Sequence, residues 1–199
     1  MHLSERDDIE VVHFTRQHNL SDLDNLVVGV DFVFHLAGVN RPEHDTAFTE
    51  GNSDLTRLLC RALEKAGRNV PVLYSSSTQA NLDNPYGKSK LEAEQALLEL
   101  EKKSGSTVYI FRLPNVFGKW CKPNYNSALA TFCHNIANNL PIQINEPNHL
   151  LHLVYVDDVV ARFISIMDGS VSGGNYAEVT PVYEITVGDL ADSINTFKL

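Results

Sequence analysis

Three apolar runs constrain this chain more than anything else in it. Asp31–Ala37 (DFVFHLA), Val70–Ser75 (VPVLYS) and Thr107–Leu113 (TVYIFRL) are short and almost unbroken. Strands buried on both faces have this composition. Helical patterning separates them. Leu55, Leu58, Leu59, Ala62, Leu63 and Ala66 fall at helical spacing before a stop at Gly67, and a long helix is expected over Asn84–Ser104 before Gly105. A strand at Val11–Arg16 and a short helix at Leu20–Val28 extend the alternation toward the front. This order predicts a parallel sheet with helices on both faces.

Beyond Pro114 the texture changes. A loop over Asn115–Asn126 leads to a helix around Ser127–Asn139, then to short strand-like pieces at Ile142–Ile144 and Leu151–Val154. A helix follows over Asp157–Met167, with Asp157 and Asp158 expected as its caps, where the helix dipole favours a carboxylate. A last strand at Asn175–Val179 and a helix at Val187–Phe197 complete the pattern. The expected fold is α/β, a doubly wound parallel sheet over residues 1–114. A small lobe over 115–199 carries elements that return to the core. The 199 residues are enough to bury such a core.

Several classes are disfavoured. The formal net charge is −9 and no Lys/Arg cluster exceeds a pair, so nucleic acid is not an expected partner. No apolar run reaches the roughly 18 residues of a membrane span. The opening MHLSERDD has no apolar centre, so it does not read as a signal peptide. Cys60, Cys121 and Cys133 are odd in number and show no CxxC spacing, which suits free thiols in a reducing cytosol. No metal site is expected, and the expected compartment is cytoplasmic.

In open parallel sheets ligands bind outside the carboxyl ends of the strands. Here those ends carry Arg16, Ala37-Gly38, Ser75-Ser76-Ser77 and Pro114-Asn115. Just downstream of the serines stands Tyr86-Gly87-Lys88-Ser89-Lys90. Positions i and i+4 of a helix share one face, so Tyr86 and Lys90 can enter the same cleft. A phenol with a pKa near 10 is a poor acid at neutral pH, and a neighbouring ammonium favours its phenolate. Tyr-x-x-x-Lys alone is a weak pattern. The order of serine strand end, Tyr-x-x-x-Lys, Arg112-Leu113-Pro114-Asn115-Val116-Phe117-Gly118 and Tyr155-Val156-Asp157-Asp158 is far more specific.

In that order the chain resembles the extended short-chain dehydrogenases/reductases, the nucleotide-sugar epimerase/dehydratase group, over nearly all its length. His35-Leu36-Ala37-Gly38 is similar to that family's turn along the cofactor. HLAGVNRPEHD, NPYGKSKLEAEQ and FGKWCKPNYNSALATFC further resemble capsular-polysaccharide reductases in which a cupin domain follows the reductase domain. The resemblance implies a Rossmann-like sheet and NADPH-dependent reduction of a 4-keto-6-deoxy UDP-N-acetyl-hexulose. It implies Tyr86 as proton donor, Lys90 as the group that lowers the Tyr86 pKa and bonds the nicotinamide ribose, and Ser77 as the bond to the keto oxygen, with Ser76 the second choice. Leu36, Ala37, Gly38 and Ser75 would line the cofactor, and Leu113 and Pro114 would meet the nicotinamide through their backbone. Asn115, Lys119, Lys122 and Asn126 would contact the UDP-sugar. Arg16, with no acid at Thr15 or Gln17, favours NADPH over NADH. A homodimer is implied as well.

The chain also departs from that family. No G-x-G-x-x-G or G-x-x-G-x-x-G occurs, and the early glycines Gly29 and Gly38 do not open a helix after a first strand. The first strand and glycine loop are therefore expected to be missing at the front, and the cupin part at the back. Leu151 stands where many relatives carry a nucleotide-gripping arginine. Thr78-Gln79 replace the Asp-Glu pair that dehydratases need. The alternatives to a reductase are a nucleotide-sugar 4-epimerase and a truncated, non-catalytic remnant.

Overall fold

The computed structural model describes residues 3–41, 44, 46–170 and 174–197. The chain forms two compact units, Met1–Ile110 and Phe111–Leu199.

The first unit holds β1 (Val33–His35), β2 (Val72–Ser77) and the start of β3 (Val108–Leu113), in the order β1-β2-β3. β1 pairs with β2 in parallel, Val33 beside Val72 and His35 beside Tyr74. Its helices are α1 (Leu23–Leu26), α2 (Thr46–Phe48), α3 (Leu55–Ala66) and α4 (Pro85–Ser104), and a π-helical turn over Thr49–Asp54 leads into α3. Leu59 and Leu63 of α3 and Leu97 and Leu100 of α4 close on Val72, Tyr74, Val108 and Ile110. Each such apolar side chain contributes roughly 1.5–3 kcal/mol on burial. Gly67 and Gly105 end α3 and α4 with positive φ, +67° and +76°, as the stop signals in the sequence require.

The expected first strand, Val11–Arg16, is not a strand. β1 is an edge of its sheet among the described residues, and this segment does not pair with it. It runs as irregular backbone, with Val12 exposed and Phe14 packed on the core.

The second unit holds β4 (Asn115–Phe117), β5 (Leu150–Tyr155) and β6 (Tyr183–Thr186) with α5 (Ala128–Ala137), α6 (Val156–Met167) and α7 (Val187–Thr196). β4 and β5 pair in parallel, and β5 and β6 pair antiparallel. Phe132 and Ile136 of α5 pack with Leu190 and Ala191 of α7.

Four expectations fail here. The loop expected from Asn115 begins as β4, because Asn115–Phe117 finds Leu153–Tyr155 as a partner. Ile142–Ile144 is not a strand; both isoleucines pack on the α5–α7 core from irregular backbone. Asn175–Val179 is not a strand either. Its alternation is real, since Ala177 and Val179 are buried, but only Tyr176 is bridged, and the last strand lies further on at Tyr183–Thr186. Asp157 and Asp158 are not caps: Tyr155 takes the cap position and the two carboxylates stand in the first turn of α6.

Among the described residues no helix is long and apolar enough to cross a membrane.

Candidate active site

The Tyr86–Lys90 pair is placed by the way α4 begins. Asn84 caps the helix, its side-chain oxygen accepting from the Gly87 amide at 2.7 Å, and Pro85 fits the first turn, where no amide is needed. Gly87 lets the helix start close against the turn that follows β2. A Cβ there would stand 2.6 Å from the Leu82 carbonyl oxygen and would also meet that of Gln79.

Lys90 is buried, and its Nζ donates to the Ser75 carbonyl at 3.0 Å. The ammonium lies 4.9 Å from the centre of the Tyr74 ring and 5.9 Å from that of Tyr86. Burial lowers its pKa to about 8, opposed by the negative charge of Glu94. Tyr86 is half-buried beside Phe48, with ring centres 5.6 Å apart. Burial raises its pKa, and a hydrogen bond with Ser77 acts the other way. The Ser77 hydroxyl accepts from the Gln79 amide at 3.2 Å, which leaves its proton for a second partner.

Side chains alternate along β2, so Ser76 turns away from Ser75 and Ser77. It is buried, and its hydroxyl donates to Glu94 Oε1 at 2.5 Å. Ser75 keeps a long hydroxyl contact of 3.5 Å to the His35 carbonyl.

The turn Leu36-Ala37-Gly38 after β1 is exposed. A Cβ on Gly38 would come 2.7 Å from Asn52 Oδ1 and 3.2 Å from Lys90 Nζ, so bare backbone lies directly beside the ammonium. An accessible backbone turn next to a buried cation suits a ribose and the ring it carries. Arg16 is exposed at a turn in which the Thr15 amide donates to His18 Nδ1 at 3.1 Å.

Two residues fix the turn after β1: His35, which opens the motif read in the sequence, and Asn52, which was not anticipated. Asn52, 1% exposed in the π-helical turn, accepts from the Val39 amide and donates to the Val39 carbonyl and to Ser89 Oγ, each at 2.9 Å. His35 stacks on Tyr74 with ring centres 5.1 Å apart, and its Nε2 meets Thr56 Oγ1 at 2.8 Å. Thr56 gives its own proton to the Asn52 carbonyl at 2.7 Å, so His35 is the donor to Thr56. Burial, with the Lys90 charge adding, drops the His35 pKa to about 3, and the ring is neutral. Asn52 lies before the helical spacing that begins at Leu55, and nothing local says what it binds.

The remaining expected residues belong to the second unit. Leu113 and Pro114 are half-buried where β3 gives way to β4, and Asn115 is exposed. Lys119 pairs with Asp157 at 2.9 Å, with Nζ 5.3 Å from the Trp120 ring centre. Lys122 and Asn126 are exposed. Among the described residues no three His, Cys, Asp or Glu side chains gather to hold a metal.

Residues 2–179 match the NAD dependent epimerase/dehydratase family. The chain is 54% identical over 197 residues to a Pseudomonas aeruginosa protein described as UDP-2-acetamido-2,6-beta-L-arabino-hexul-4-ose reductase, covering 99% of this chain and 53% of that protein. Its structure is similar to the crystal structure of the capsular polysaccharide assembling protein CapF from Staphylococcus aureus, at TM-score 0.86 and 43% identity, over 99% of this chain and 54% of that one. The chain thus spans about half the length of these two relatives. It shares a fold with the UDP-N-acetylglucosamine 4-epimerase of Bacillus cereus, at TM-score 0.72 and 22% identity, over 89% of this chain and 65% of that one.

Proposed function

The chain belongs to the NAD dependent epimerase/dehydratase family, and from that premise we propose that it reduces a 4-keto-6-deoxy UDP-N-acetyl-hexulose to the alcohol with NADPH. The observation that carries this reading is one helix face. Tyr86 and Lys90 stand together there, Lys90 is tied to the strand end at Ser75, and Ser77 reaches Tyr86 from the same strand end. The substrate class is supported by the 54% identity to the P. aeruginosa reductase.

A bound nicotinamide supplies a hydride for the keto carbon. Tyr86 gives its phenolic proton to the keto oxygen, so the carbonyl becomes a secondary alcohol, and solvent reprotonates the phenolate. Lys90 makes that loss easier, because an ammonium stabilises the phenolate beside it. Ser77 holds the keto oxygen in line with the phenol. Leu36, Ala37, Gly38 and Ser75 hold the cofactor, and Leu113 and Pro114 meet its nicotinamide through their backbone. Asn115, Lys119, Lys122 and Asn126 contact the UDP-sugar. Ser76, bound to Glu94, leaves the keto oxygen to Ser77. Arg16 accommodates the 2′-phosphate that distinguishes NADPH from NADH. Synthesis of surface-polysaccharide precursors in the cytoplasm, by a homodimer, belongs to the same proposal.

The test is NADPH oxidation dependent on the keto sugar. Tyr86→Phe is expected to bind NADPH as the wild type does and to lose at least about 100-fold in kcat. A Tyr86→Phe protein that reduces the sugar at the wild-type rate, or a wild-type protein that binds NADPH and sugar without reduction, overturns the proposal.

A further inference from the structure

Beneath Tyr86 and Lys90 lies a buried carboxyl group, that of Glu94. Glu94 stands one turn further along α4 on the face that carries Lys90. It is wholly buried, and Ser76, itself buried on β2, donates its hydroxyl to Oε1 at 2.5 Å. A buried carboxylate is costly unless hydrogen bonds and an opposite charge offset it. Ser76 supplies the bond, and Lys90 supplies the charge.

The dependence runs the other way too. The Lys90 ammonium is buried, with the Ser75 carbonyl bonded at 3.0 Å and an aromatic face below it. Around it stand His35 from β1, held neutral; Tyr74 from β2, a phenol whose pKa burial raises; and Tyr86 from α4 itself. None of these is an anion at neutral pH. The loop after β1 and the π-helical turn present uncharged Gly38 and Asn52. Among the described residues, Glu94 is the one carboxylate acting on Lys90, and it opposes the effect of burial.

We infer that Glu94, anchored by Ser76, is a positioning residue that holds the positive charge on Lys90 beside Tyr86. Its catalytic consequence rests on the roles proposed above for Tyr86 and Lys90; the charge coupling does not. With Glu94 ionised, Lys90 stays protonated at neutral pH and favours the Tyr86 phenolate. With the carboxylate removed, burial acts on Lys90 unopposed, the ammonium loses its proton at lower pH, and Tyr86 becomes a weaker acid.

The experiment is ¹³C NMR on the full chain with labelled lysine and glutamate side chains, Lys90 being assigned through Lys90→Met. The wild type is expected to keep Glu94 charged while Lys90 titrates. Glu94→Gln keeps the size and can still accept from Ser76. It is expected to lower the Lys90 midpoint by about one to two pH units, as loss of a unit charge one helical turn away would do at an effective dielectric of about 20. Glu94→Asp keeps the charge and is expected to stay within about half a unit. A folded Glu94→Gln protein with an unmoved Lys90 midpoint overturns the inference. So does a wild-type Glu94 that is protonated at neutral pH, a result that needs no variant to fold. If the midpoint shifts as expected while Tyr86→Phe reduces the sugar at the wild-type rate, the charge coupling stands and the catalytic reading falls.

Discussion

Replacing Asn52 by alanine removes three hydrogen bonds at one buried point. The lost bonds are those to the Val39 amide, the Val39 carbonyl and Ser89 Oγ, each at 2.9 Å. Each contributes about 1 kcal/mol net. Ser89 keeps its own bond to the Tyr86 carbonyl at 2.8 Å, and Val39 is only half-buried, so water can reach its freed groups. The partners therefore add little beyond the bonds themselves, and the expected loss is about 3 kcal/mol. For a chain of this length that lowers Tm by about 6–12 °C. Urea unfolding followed by circular dichroism measures it, provided the m value is unchanged. A loss below about 1 kcal/mol would refute the reasoning, since it would mean that the turn after β1 is not held by this side chain.

Two further perturbations follow from the same geometry. Gly87→Ala raises helix propensity by about 1 kcal/mol yet is expected to destabilise the protein on balance, because the new methyl meets the Gln79 and Leu82 carbonyls; a higher Tm would contradict that close approach. His35 makes stability depend on pH. Its folded pKa of about 3 lies below the ordinary value, so between about 6.5 and 3 the unfolded chain binds a proton that the folded chain refuses, and stability falls as pH falls through that window. From pH 7 to 5 the wild type should lose about 2 kcal/mol more than His35→Asn, read from urea unfolding at both pH values, whereas equal losses would show that His35 protonates in the folded state.

The three strands of the first sheet and the α4 helix were legible because their signals are local: short apolar runs, helical spacing, a terminal glycine. Tyr86 and Lys90 were legible for the same reason, since i and i+4 fix a shared face without any knowledge of the fold. Val11–Arg16 and Asn175–Val179 misled because a strand needs a partner, and alternation says nothing of whether one is present. Tyr183–Thr186 was missed because it is half-exposed and finds its ladder on β5. Asn52 and Glu94 were hidden for a different reason. In the sequence Glu94 is a polar residue in a helical stretch, the usual mark of a solvated face, and Asn52 a polar residue just ahead of one; only tertiary packing turns them inward.

The central claim is that this chain adds a hydride to a keto carbon and a proton, from Tyr86, to its oxygen. The most direct measurement uses NADPH deuterated at the transferring position and follows the sugar product by mass spectrometry and NMR. One deuterium at C4 of the reduced sugar, formed at least about 100-fold more slowly by Tyr86→Phe, is the predicted result. A wild-type protein that binds NADPH and the keto sugar but returns sugar with no deuterium at C4 would contradict the account.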